Sequence, residues 1–168
     1  MTSPTFFTSL GVAAMVNPLA GRRVQFAGSA SAKADSMLIA YAHQVIAELV
    51  RGIVTAGAGL VVGVGKEPRP EGASPDAPSL LFDWTALEAL RRCIDQGIAG
   101  WPPAFTQLIV LVSSEKSESE IPDSRRALYE SLLRSGKVRV ESIMPGSRAA
   151  AFLRQRQAQF ADALVILG

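Results

Sequence analysis

Five short apolar runs recur along this chain, each separated from the next by a stretch long enough to hold a helix. That alternation limits what the chain can fold into. The runs are RVQFA (23–27), GLVVGV (59–64), TQLIVLV (106–112), KVRVESIM (137–144) and ALVIL (163–167). A continuous apolar run such as 59–64 suits a strand buried on both faces of a parallel sheet. The run 137–144 begins with strict alternation and predicts a more exposed strand. Between the runs the period changes from two to about 3.6. Asp35 or Ser36 can cap a helix reaching about Ala56, with Met37, Tyr41, Val45, Leu49 and Ile53 in one apolar row and Leu38, Ala42, Ile46 and Val50 beside it. Gly57 follows as a left-handed C-terminal cap. Asp83 can cap a second helix bearing Leu87, Leu90, Ile94 and Ile98. Asp123 opens a third, closed by Gly136, and Ser147 opens a fourth running to about Ala161.

The order is β-α-β-α-β-α-β-α-β. Parallel strands need crossovers of this length, and such crossovers are right-handed. The predicted fold class is therefore α/β: a Rossmann-like parallel sheet of about five strands flanked by helices. Two regions are distinguished, an N-terminal segment (1–22) that packs on the domain or forms a dimer contact, and the domain proper (23–168). The chain stops at Leu167-Gly168, directly after a strand, so the domain is expected to be part of a longer protein.

Composition excludes several classes. The 168 residues suffice for one core, and with 48% apolar and 19% charged residues the chain is not disordered. The net charge is +2, and no segment gathers Lys and Arg on one face, so nucleic acid is not an expected partner. A lone cysteine, Cys93, allows no internal disulfide and reads as a reduced helix residue. No Cys/His cluster supports a metal. The N-terminus lacks a basic secretory start, and no apolar run was expected to reach the roughly 18–20 residues that span a bilayer. A cytoplasmic protein without membrane contact is the expectation.

Chemistry is expected where the strands end. In a parallel sheet every strand delivers its C-terminus to one edge, and ligands bind there at the switch point. The first strand supplies Gly28, Ser29 and Ala30. The second supplies Gly63, Val64, Gly65 and Lys66, with a long proline-rich loop (65–79) behind them. The third supplies Ser113 and Ser114, the fourth leads to Arg148, and the fifth ends at Gly168. Glycine lets backbone amides approach a phosphate, serine hydroxyls donate to phosphate or ribose, and Lys66, Arg125 or Arg148 can balance charge. Each motif alone reads as a turn; their convergence on one edge points to a ligand site. Neither the G-x-G-x-x-G dinucleotide fingerprint nor a Walker A motif is present. His43 reads as a partly exposed helix residue, and Asp83-Trp84 as a helix cap beside a packed aromatic. Arg156 falls near the inner stripe of the last helix (Ala149, Phe152, Leu153, Phe160), where it is either paired or snorkels to solvent.

FAGSAS (26–31), GLVVGVGKEP (59–68) and ADALVILG (161–168) together resemble the SLOG superfamily, which joins the LOG cytokinin-activating enzymes to the Smf/DprA proteins. LFDWTALEAL (81–90) and SSEKSESEIPDSRRALYESL (113–132) are more similar to its STALD branch, found linked to sirtuin-like or TIR domains in prokaryotic conflict systems. The resemblance implies a homo-oligomeric sensor of an NAD-derived or ADP-ribose-like signal, with a nucleotide-type ligand, no required cofactor and a linked TIR or sirtuin-like effector in antiviral defence. LOG enzymes instead hydrolyse a nucleotide to base and ribose phosphate, using an arginine on the helix before the last strand and a glutamate in a P-G-G-x-G-T-x-x-E loop. Arg154 is the candidate for that arginine, though its match is shifted, and the glutamate loop would begin beyond Gly168. The expectation therefore leans away from catalysis by this chain alone. A LOG-type nucleotide phosphoribohydrolase and a structural oligomerisation module, the latter using residues 6–15 as a dimer contact, stand as alternatives.

Overall fold

The computed structural model describes residues 17–74, 77–101, 108–144 and 149–167. Five strands form one parallel sheet: β1 (Arg23–Gly28), β2 (Gly59–Gly63), β3 (Ile109–Ser114), β4 (Val138–Ile143) and β5 (Ala163–Leu167). The helices are α1 (Ser36–Thr55), α2 (Asp83–Asp95), the single-turn α3 (Glu115–Ser119), α4 (Asp123–Arg134) and α5 (Ala149–Phe160). Helix α3 departs from the expected order. Ser113 and Ser114 extend β3 rather than opening a loop, and α3 starts at once, locked by a reciprocal capping box between Ser114 and Ser117. The expected segments at 1–16, 102–107 and 145–148 lie outside the described residues.

The strand order is β4-β3-β2-β1-β5. Three successive steps from β1 to β4 run in one direction, so right-handed crossovers place α1, α2 and α4 on one face. The return from β4 to β5 crosses the whole sheet and places α5 on the other. Strand alternation follows this division. Leu60, Val62, Ile109 and Leu111 pack with Ile46, Val50, Leu87, Leu90 and Leu132, whereas Val61, Val110 and Val112 pack with Leu153 and Phe160. Both β3 and β2 are buried on both faces, as a continuous apolar run requires. At the sheet's edge β4 is largely exposed, as its alternation predicted.

Local signals act as expected at α1. The Asp35 carboxylate accepts the Met37 amide at 2.7 Å, and Gly57 ends the helix at φ +94°. The breadth of its apolar stripe is corrected, however. Ile39, Ile46, Val50 and Val54 are buried, but Met37 (80% exposed), Leu38 (65%) and Tyr41 (64%) are not covered. Sheet and α2 reach only one side of the helix, and among the described residues nothing covers the outer row. Helix α1 is also 20 residues long with a mean hydropathy of 1.4, long and apolar enough by composition to cross a membrane, contrary to the expectation that no segment would be. Within this fold it packs on the core along one face only, with three of its side chains fully enclosed.

Helix α5 likewise turns Phe152 outward while Leu153, Gln157 and Phe160 face the sheet. Arg156 is settled as paired: its guanidinium donates to Glu141 at 2.8 Å and stacks on Phe160.

Candidate functional site at the sheet's switch point

The order of strands reverses at β1, because β2 lies on one side of it and β5 on the other. Ligand crevices in open α/β sheets form at such a reversal. β1 pairs with β2 only over Arg23–Gln25, but with β5 up to Gly28–Leu167. The β1–β2 ladder thus ends early, and beside the end of β1 lies a shallow cleft of about 190 Å³ counting its open mouth. Its walls are apolar. β1 contributes Phe26, Ala27 and Gly28, β5 contributes Leu167, and α1 contributes Ile46. Phe82 and Asp83, at the start of α2, close the remaining side. Gly28 is required by close approach: a Cβ there would sit 1.9 Å from the Leu167 carbonyl oxygen.

Asp83 is the one ionisable residue of this lining. It does not cap α2 as the sequence suggested. Phe82 holds the cap position without a side-chain bond, and Asp83 occupies the first helical turn. Its carboxylate lies close to Gly63, the last residue of β2, and the amides of Gly63 and of Asp83 itself favour its charged form. The Gly63 amide is available because β2 has parted from β1 by this point. Burial raises the Asp83 pKa to about 7, and these two amides only partly offset it. A group in this state exchanges a proton near neutrality.

A second set of interactions frames the cleft. After β1, Ser29 bridges to Leu81 in antiparallel fashion and the Ala30 amide donates to the Leu80 carbonyl at 2.8 Å. Residues 79–82, the returning end of the proline-rich loop, are thereby tied to the first strand end. His43 reinforces this tie. Its ring nitrogens lie 2.5 Å from the Thr85 hydroxyl and 2.8 Å from the Ser79 carbonyl, and its edge meets Phe82. Trp84 is buried and donates its indole N–H to the Gly65 carbonyl at 3.1 Å, holding the glycine-rich end of β2.

The expected site residues separate into two groups. Gly28, Ser29, Ala30 and Gly63 lie at or beside the cleft, and Val64 is buried behind it. Gly65 abuts Ser117, and Lys66 is exposed, with no ion pair among the described residues. Ser113, Ser114 and Arg125 lie toward β3 and β4, outside the cleft lining. Ser113 donates to Glu118, and Ser114 is spent on capping α3. Arg125 holds Glu67 at 2.6 Å and also pairs with Glu88. Arg154 is exposed on α5, one turn nearer the ligand edge than Gln157, and pairs with no acid among the described residues. Arg148 and Gly168 lie outside the described residues. Sequence reasoning passed over Asp83 as a site residue because an aspartate before a helical pattern is an ordinary cap signal. Cys93 is buried and its thiol pKa is pushed up by that burial, which does not suit a nucleophile. No cluster of three metal-ligating side chains occurs among the described residues.

A five-stranded parallel sheet with a cleft at its reversal defines a Rossmann-like domain of the nucleotide-binding SLOG superfamily. Within it, the chain belongs to the family described as ATP nucleosidase Cap17-like, N-terminal, whose model matches residues 19–168. No curated protein and no solved structure matches the chain. Family membership corrects the expectation that leaned away from catalysis, since the family is one of enzymes.

Proposed function

We propose that this protein is an ATP nucleosidase, which hydrolyses the bond between adenine and C1′ of the ribose and leaves the triphosphate chain intact. The observation that carries this reading is the family match across residues 19–168, joined to a cleft at the switch point of the sheet. The recess is open and shallow, so in this reading the nucleotide lies across the ligand edge rather than enclosed within it. Gly28 and Ser29 on one side and Gly65 and Lys66 on the other flank that edge. Lys66, exposed and free of any ion pair among the described residues, is the cation proposed for the triphosphate.

The test is direct. Full-length protein is incubated with ATP and the products are separated by chromatography. Free adenine and ribose 5′-triphosphate in equal amounts, with no ADP, are expected. Failure to release adenine under any condition in which the protein stays folded overturns the reading.

A further inference from the structure

Helix α1 carries an apolar row that no described residue covers, and the described chain begins at the foot of that row. Met37, Leu38 and Tyr41 are each more than half exposed, and Leu49 is 39% exposed. Steps of three and four residues put them, with the half-buried Val45, on one side of the helix. Together they form a patch on the order of 400 Å², large enough to mark a contact surface on a folded domain. Gly52 continues the row toward the end of α1, and a Cβ there would meet nothing within 4 Å. We propose that this row is the seat of the chain's own N-terminal segment, residues 1–16.

The starting point of that segment is fixed. The Asn17 side chain donates to the Gly100 carbonyl, and its Cβ packs against Gly57. The Leu19 amide donates to the Ala56 carbonyl at 3.0 Å, and the Gly21 amide to that of Gly57 at 3.3 Å. Asn17 therefore stands against the end of α1, in the helical layer. Two successive turns then lead into β1: the Ala20 amide donates to Asn17 and the Arg22 amide to Leu19, each at 3.0 Å. Helix α2 ends close by, but none of its large apolar side chains is exposed, and Arg92 and Asp95 face solvent there. Of the two helices at this corner, only α1 has apolar surface left to cover.

Length and composition fit the same seat. From Gly52 to Met37 the row is about 22 Å long. Sixteen residues span about 24 Å as a helix and about 53 Å when extended, so the segment reaches the far end in either form. No ionisable side chain occurs before Arg22, while Phe6, Phe7, Leu10, Val12, Met15 and Val16 supply apolar surface. Such a segment gains by leaving water, whereas a charged one would lose solvation in the same place. Glu48 and Arg51, the charged residues beside the lower end of the row, pair with each other at 4.0 Å.

The experiment reads the accessibility of the row in the full-length protein. Leu38→Cys, Tyr41→Cys and Leu49→Cys are made one at a time, and the rate of reaction with a maleimide is measured. Glu130→Cys, at an exposed position on α4, is the fast control, and the buried Cys93 is the slow one. Row cysteines should react slowly, at a rate independent of protein concentration. Removing residues 1–16, or replacing Phe6 and Phe7 by serine in the intact chain, should speed them about tenfold or more and leave Glu130→Cys within about twofold. Fast reaction of Cys93 would reveal unfolding of the shortened protein, and the serine variant, which keeps the whole chain, then decides. Row cysteines that react as fast as Glu130→Cys before any removal overturn the proposal, because the row is then open. Slow reaction that survives both changes also overturns it. If that protection weakens on dilution the cover is a second copy of the chain, and if it persists the cover is another part of the full-length protein.

Discussion

The two halves of the ligand edge carry the same kinds of residue and treat them differently. At the β3/β4 half, polar groups satisfy one another. Arg125 bridges Glu67 from the β2 loop and Glu88 from α2, Ser113 donates to Glu118, and Ser114 exchanges bonds with Ser117. At the β1/β5 half, one carboxyl faces an apolar cleft with only backbone amides for company. A charged residue at a strand end is thus a poor sign of a binding site by itself. What matters is whether the fold supplies a partner of opposite sign. Where it does, the group fixes loops; where it does not, the group remains available to a ligand.

Three substitutions would break or sharpen this contrast. The largest expected effect is on the closed half. Arg125→Ala leaves Glu67 buried without its main partner, and losing one member of a buried pair costs about 3–5 kcal/mol; Arg125 keeps some solvent, so about 3 kcal/mol is expected. Urea denaturation measures it, and Arg125→Met with Glu67→Leu should recover most of the loss. Little change in the urea midpoint would mean that the bridge does not hold the loop.

The next effect falls on the open half. Gly28→Ala forces a Cβ against the Leu167 carbonyl, so β5 must shift away from β1, at a cost of about 2–3 kcal/mol. Amide exchange should speed up selectively along Ala163–Leu167 while β3 and β4 keep their protection. Uniform acceleration across the sheet would show that the β1/β5 end is not a separable unit.

The smallest effect concerns pH. Asp83 has a folded pKa of about 7, above its unfolded value of 3.8. Between those values the folded state binds more protons than the unfolded state, so this group's contribution to stability falls as pH rises from about 4 to 7 and is constant above. Asp83→Asn removes that penalty. Discounted for the carboxyl's partial access to the cleft, the variant should gain about 1–2 kcal/mol relative to wild type at pH 8 compared with pH 4. Thermal melts at the two pH values decide the point, and a difference that does not change with pH would mean that the carboxyl titrates as it would in water.

Much of the architecture was legible because it follows from local rules. Asp35 and Gly57 bound α1 where short-range chemistry places them, and the runs at 59–62 and 109–112 are fully buried because they have no polar face to expose. Legibility failed where a residue's surroundings come from distant parts of the chain. Met37, Leu38 and Tyr41 have the period of a buried stripe, yet among the described residues no element covers them. Arg125 has the look of an anion-binding cation, but its partners are 58 and 37 residues away.

By itself the sequence determined that this chain makes a parallel, helix-flanked sheet with its glycine-rich ends at one edge, because strand and helix periods and crossover lengths are properties of contiguous residues. Only the tertiary structure decided which of those ends matter. β5 returns beside β1, the β1–β2 ladder ends at Gln25–Val61, and Asp83 stands not as a helix cap but as the lone carboxyl of the cleft lined by β1, β5 and α1. The physical reason is that desolvation and charge pairing depend on neighbours in space, and the residues around Asp83 come from four separate segments of the chain.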